Sequence, residues 1–230
     1  MTTRHGGVSP QPFGMNLSFR VGDKEEYVEQ NRRLLFRKLG ASPERIAFGA
    51  QCHSTTIQEV RRGGIYEACD GFITCEPHLW LAVSVADCVP IFLYDTRQHI
   101  AAAIHAGWRG TKEGIVAKTV DRMKRAKQSM PEDILAFIGP SAGACCYEVG
   151  NDVAAFFSNG FLKTRNGRQF LDLKSANQEQ LTKASVPAQN IEVSADCTIC
   201  NPDRYHSYRR DRGRSGRMMA LIALDERKVA

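Results

Sequence analysis

Between Leu79 and Gly110 the chain reads LWLAVSVADCVPIFLYDTRQHIAAAIHAGWRG. Three apolar runs stand in this stretch, Leu79–Val85, Pro90–Tyr94 and Ile100–His105. Each has the length of a strand and is too short for a buried helix. The turn residues Asp95–Gln98 (DTRQ) join the second run to the third, which predicts a hairpin. Asp87 and Cys88 interrupt the first two runs, and His105 closes the third before a glycine-flanked tryptophan, Gly107-Trp108-Arg109-Gly110. Side chains at strand ends are held by the sheet and project into clefts, so Cys88 and His105 are candidates for chemistry.

Working outward, the pattern changes to helix on both sides. Glu25–Leu39 places Val28, Leu35 and Leu39 on one stripe with Leu34 beside it, and Gly40 is a stop signal. Thr111–Lys127 turns Ile115, Val116, Thr119, Val120 and Met123 inward and is expected to be one helix. Arg45–Gln51 reads as a short strand that leads to Cys52 and His53. Further on, Ile134–Ile138, Ile191–Val193 and Met218–Leu224 are expected strands, and Asn151–Phe157 and Ser175–Lys183 expected helices. Thr2–Leu17 and the polar Lys163–Gln169 are expected loops. Strands and helices interleave throughout without a repeat or linker, so the expected fold class is mixed α/β, one domain over residues 1–230.

Composition narrows the function. Hydrophobic residues make up 43% of the 230 residues and charged residues 24%, the balance of a chain with a core rather than a disordered one. The net charge of +6 is spread over the sequence apart from a dense run at Arg204–Arg217. That distribution suits a small anionic substrate and not a sequence-specific nucleic-acid binder. No apolar run approaches the ~20 residues of a membrane span, and the polar N-terminus lacks a signal-peptide core. A cytoplasmic location without membrane contact is expected, with a homodimer as the candidate assembly. In a reducing compartment the eight cysteines are metal ligands, nucleophiles or small buried hydrophobes rather than a disulfide framework.

His53, Cys88 and His105 together offer two imidazoles and a thiolate, good ligands for zinc, with a fourth tetrahedral position left open as in catalytic sites. Spacing alone leaves an ordinary alternative, hydrogen-bonded core histidines beside a buried thiol, because the three residues form no short motif. Asp87 is either a carboxylate that orients a ligating imidazole or a turn cap. Cys197-x-x-Cys200 supplies only half of a structural zinc site, and adjacent Cys145 and Cys146 do not by themselves suggest chelation. Packing is the expectation for all four. The deaminase signature His-x-Glu with Pro-Cys-x-x-Cys is absent.

Several segments carry a resemblance: TTRHGGVS (Thr2–Ser9), NRRLL (Asn31–Leu35), QCHS (Gln51–Ser54), CDGFIT (Cys69–Thr74), ADCVPIFLYD (Ala86–Asp95), AAIHAGWRGT (Ala102–Thr111), IGPSAGACCYEVG (Ile138–Gly150) and Asp196–Leu224. With these, in this order, the chain resembles the multicopper polyphenol oxidase-like, or laccase-domain, family, which includes the bacterial peptidoglycan editing factor. The resemblance implies packed β-sheets flanked by helices in α/β/β/α layers. It implies metal ligands at His53, Cys88 and His105, with zinc the expected ion and copper an alternative. It also implies purine nucleoside chemistry: phosphorolysis of adenosine, inosine and methylthioadenosine, and adenosine deamination. Given the motif match, Arg4, Gln51, Arg109 and Arg209 are expected substrate contacts, Arg4 toward phosphate because a guanidinium fits that anion. Arg210 is expected to pair with Asp211, and Glu148 is either an acid/base or an ordinary ion-pair partner. The chain departs from the family at Cys52, Ser54, Ala142 and Ala144, and its TTR motif lies unusually near the start.

Three other functions fit parts of the pattern. Copper-dependent phenol oxidation suits the ligand set, although six histidines are too few for a full laccase. Cys88 as a nucleophile with His105 as base would make an amidase suited to peptidoglycan-precursor editing. A non-catalytic metal-binding module is the third.

Overall fold

The computed structural model describes residues 1–226. Its centre is a six-stranded sheet in the spatial order Ile191–Val193, Ile134–Ile138, Val89–Asp95, Ile100–Ala106, Gly71–Thr74, Ile57–Glu59. The two middle strands form the expected hairpin, antiparallel from Val89↔Ala106 to Asp95↔Ile100. Both are buried along almost their whole length, which explains why their sequences run apolar instead of alternating. A four-stranded sheet in the order Met218–Ile222, Trp80–Val85, Ile46–Ala50, Gly64–Glu67 packs against one face.

Three cores hold the layers together. Leu81, Val83 and Val85 of the smaller sheet meet Phe72, Phe92, Ala101 and Ala103 of the larger. The alanines let the two backbones approach across this interface. On the far face of the large sheet, Ile91, Leu93 and Ile104 pack on Ile115, Val120 and Met123 of the helix Ile115–Lys127 and on Leu181 of the helix Leu173–Lys183. On the outer face of the small sheet, Ile46, Ala82 and Met219 receive Leu35 and Phe36 from the helix Glu25–Leu39. The architecture is therefore α/β/β/α, as the resemblance implied.

The differences from expectation have local causes. The single helix expected over Thr111–Lys127 is two, Trp108–Lys112 and Ile115–Lys127. Gly114, at φ +76°, breaks the chain between them, a left-handed conformation that glycine adopts without strain. The helix expected over Asn151–Phe157 is confined to Asn151–Ala154. Lys163–Gln169 is not a loop but the heart of a hairpin, Leu162–Arg165 with Arg168–Leu171, turning at Asn166-Gly167. Its side chains are mostly exposed, so it lacks the apolar alternation that marks a strand. No helix among the described residues is long and apolar enough to cross a membrane.

Candidate metal centre and active site

The site lies where both sheets end. His53 follows the strand Ile46–Ala50, Cys88 sits in the crossing between Trp80–Val85 and Val89–Asp95, and His105 lies near the end of Ile100–Ala106. Their donor atoms all fall within 4.8 Å of one another. Cys88 Sγ is 3.8 Å from His53 Nε2, and the two imidazoles meet edge to face with centroids 4.9 Å apart. The backbone is strained where it delivers these groups, with φ +63° at His53 and φ +87° at Asp87. Non-glycine residues rarely accept such angles unless the surroundings impose them. Gly107 is required by proximity: a Cβ there would lie 2.8 Å from His53 Cδ2 and 3.2 Å from Cys88 Sγ.

Asp70 organises the centre. It is fully buried, and its Oδ1 accepts from His105 Nδ1 at 2.8 Å and from the His53 backbone N–H at 3.1 Å. Its Oδ2 accepts from the N–H groups of Cys52 and Ser54 and from Ser54 Oγ. One carboxylate thus closes the turn that carries His53 and fixes the tautomer of His105, leaving His105 Nε2 as the free lone pair. Burial opposes the charge on Asp70, but the His105 hydrogen bond and charge and the Ser54 donors hold it well below the usual carboxylate range. Burial likewise raises the Cys88 thiol, yet the charge and hydrogen bonds of His105 and His53 outweigh it and lower the thiol. His105 moves the opposite way, lifted against burial by Cys88 and Asp70. These opposite directions favour negative charge on the thiol and a proton on the ring. A divalent ion can replace the ring proton, and the donor set, its spacing and the close approach at Gly107 fit such an ion.

Of the expected site residues, the structure brings His53, Cys88, His105, Gln51 and Arg109 to one cavity of about 660 Å³. Gln51 also exchanges hydrogen bonds with the Ser84 backbone. Asp87 is placed otherwise. Its carboxylate accepts from Thr198 Oγ1, Ser207 Oγ and the Arg209 N–H at 2.7–3.0 Å, so it pins distant loops, and the imidazole partner is Asp70 instead. Arg4 and Arg209 do not reach the cavity. Arg4 donates to the carbonyls of Pro202 and Pro12, and Arg209 donates to the Glu148 carbonyl. Glu148 itself faces Arg168 at 3.4 Å, and Arg210 pairs with Asp211 as expected. The cavity takes its positive charge from Arg20, Arg32, Arg109 and Arg217, and its described lining contains no Asp or Glu. Burial lowers Arg32 to about 10, which leaves it charged at neutral pH.

Asp70 and the three further arginines were not singled out from sequence. Asp70 stands in the CDGFIT segment directly before a buried strand. The signal available was that a ligating imidazole needs a partner for its second nitrogen. Of the four cysteines expected to pack, Cys197 is buried, but Cys145 and Cys200 are exposed and Cys146 half-buried.

Residues 1–225 match the family model described as multi-copper polyphenol oxidoreductase laccase. The chain belongs to this family. Among family relatives it is similar to purine nucleoside phosphorylase YlmD of Geobacillus stearothermophilus, 38% identical over 98% of this chain and 89% of the relative. A purine nucleoside phosphorylase of Bacteroides thetaiotaomicron is 35% identical over 97% of this chain and 90% of that protein. The solved structure of Geobacillus YlmD superposes with a TM-score of 0.94, covering 98% and 90% of the two chains at 38% identity. That of Bacillus licheniformis hypothetical protein YfiH gives 0.93, with 97% and 91% covered at 36% identity.

Proposed function

We propose that this protein is a zinc-dependent purine nucleoside phosphorylase that also deaminates adenosine. The observation that carries this reading is the joining of an open His–Cys–His donor set to a cavity lined by four arginines and no carboxylate. The names of relatives at 35–38% identity support it. Bound zinc supplies a Lewis acid that polarises the group reacting beside it. His53, Cys88 and His105 would hold the ion, and Asp70 engages His105 Nδ1, which would leave Nε2 for it. Phe19, Phe48 and Tyr208 line the cavity and offer apolar and aromatic surface to a purine. The guanidinium of Arg109 sits 4.8 Å from the Trp108 ring and, with Arg20 and Arg217, draws phosphate toward the sugar. Charge developing on the ribose is met by that phosphate, positioned in line with the departing base.

The test is turnover by the zinc-loaded protein. Adenosine with phosphate should give adenine and ribose phosphate, and without phosphate inosine alone. If neither forms, the reading fails. A second reading, Cys88 as nucleophile in a metal-free amidase, is favoured by the lowered thiol. Full amide-cleaving activity after complete metal removal would support it.

A further inference from the structure

Four cysteines that the site does not use converge on one another. Cys145 and Cys146 lie in the turn after the strand Ile134–Ile138, and Cys197 and Cys200 lie in or beside the turn after Ile191–Val193. Over fifty residues separate the pairs in sequence, yet all four Sγ atoms lie within 4.8 Å of one another. Cys200 Sγ is 3.4 Å from Cys145 Sγ and 3.2 Å from Cys146 Sγ. Four sulfurs at about 2.3 Å from a tetrahedral zinc would stand about 3.8 Å apart, close to this arrangement.

One of the four sulfurs already accepts from the backbone. The Gly143 N–H donates to Cys197 Sγ at 3.3 Å. A sulfur met by a backbone donor is an acceptor, as in the turn that a Cys-x-x-Cys pair forms around a metal. Arg165 donates to the carbonyls of Ala144 and Cys145 at 3.1 and 2.7 Å, which places a positive charge beside four potential negative ones. Packing does not account for the cluster, because only Cys197 is buried.

We propose that Cys145, Cys146, Cys197 and Cys200 bind a structural zinc ion, separate from the His53–Cys88–His105 centre. Four protein ligands close the coordination sphere, so the ion has no position for substrate. Binding releases the thiol protons and changes no oxidation state. The ion ties the 145–146 turn to the 197–200 turn, which meet next to it in the Ser141↔Cys197 bridge. Thr198, adjacent to one ligand, donates to Asp87, so the clamp braces the loop that presents Cys88.

The test is metal analysis of the full chain purified under reducing conditions, with zinc as the probe. The variant His53→Ala/Cys88→Ala, which dismantles the other centre, should keep one zinc per chain. X-ray absorption should show an all-sulfur shell, and adding Cys145→Ser and Cys200→Ser should remove the metal. A folded His53→Ala/Cys88→Ala variant without zinc, with iron in its place, or with a disulfide seen as a two-hydrogen mass loss overturns the proposal. If that variant does not fold, the unaltered protein decides. Two zinc ions per chain with sulfur as the majority ligand support the proposal, and a single zinc with a mixed nitrogen–sulfur shell overturns it. One zinc with an all-sulfur shell sustains this site while removing zinc from the proposed active centre.

Discussion

Replacing Asp70 by asparagine tests the organisation of the metal centre. The carboxylate takes two donors on Oδ1 and four on Oδ2, and an amide retains only one acceptor oxygen. If that oxygen keeps the Cys52 and Ser54 side, the new NH₂ group faces the His53 N–H and His105 Nδ1. The relief open to it is a switch of His105 tautomer, which moves the proton to Nε2, the atom that must bind metal. Losing a charge-assisted hydrogen bond costs about 1.5–3 kcal/mol. Removing the partner of a ligating histidine typically costs about 10- to 100-fold in metal affinity, and the two figures agree. Asp70→Asn should therefore weaken zinc binding by about one to two orders of magnitude, read by competition with a chromophoric chelator at fixed pH. Asp87→Asn is the control. Its carboxylate touches neither imidazole but braces the backbone beside Cys88, so zinc affinity should fall less than in Asp70→Asn while stability in urea falls by about 1–3 kcal/mol. A folded Asp70→Asn protein with unaltered zinc affinity would refute the argument, as would an equal loss in Asp87→Asn.

Arg109→Ala should raise the apparent KM for phosphate about 10- to 100-fold with zinc content intact, whereas Arg4→Ala should leave it unchanged. Phosphate-dependent kinetics on both variants check this. Gly107→Ala pushes a methyl group against His53 and Cys88 and should cost most of the active-centre zinc, measured by metal analysis. Cys52 lies outside the donor cluster, so Cys52→Ala should keep that zinc. His206 is fully buried, and neither ring nitrogen has a hydrogen-bond partner among the described residues. Burial, with Arg4 next in weight, lowers it from 6.5 to about 4. The unfolded chain then binds the extra proton first. Stability present above pH 6.5 should fall as pH drops toward 4, by at most about 3 kcal/mol. Urea melts across that range should show the slope, and His206→Phe should flatten it.

Periodicity made the frame legible. The helix Glu25–Leu39 and the central hairpin follow from side-chain pattern alone, because long or fully buried elements concentrate their apolar residues. The strands Ile57–Glu59 and Gly64–Glu67 were not read, being only three or four residues long, and the exposed Leu162–Leu171 hairpin carries little apolar signal. The cluster of His53, Cys88 and His105 was legible through motifs, since spacing left core histidines as an alternative. Asp70, the arginine lining and the meeting of the two cysteine pairs depend on how sheet ends and turns converge. Arg4 shows the reverse: its segment matches the family, but the carbonyls of Pro202 and Pro12 take its guanidinium.

The fastening of Asp87 has a bearing on synthesis. All three ligands of the active centre have been translated once His105 is made, but the groups that hold Asp87 come 111 to 122 residues after it. The strand Met218–Ile222, which pairs beside the site with Trp80–Val85, comes later still. Contacts so distant along the chain form slowly, because a large loop must close first. A ribosome-bound intermediate therefore displays its histidines and thiol before the backbone at Asp87 is locked. The finished geometry around Cys88 is consequently reached only after the segment from Thr198 to Ile222 has been made.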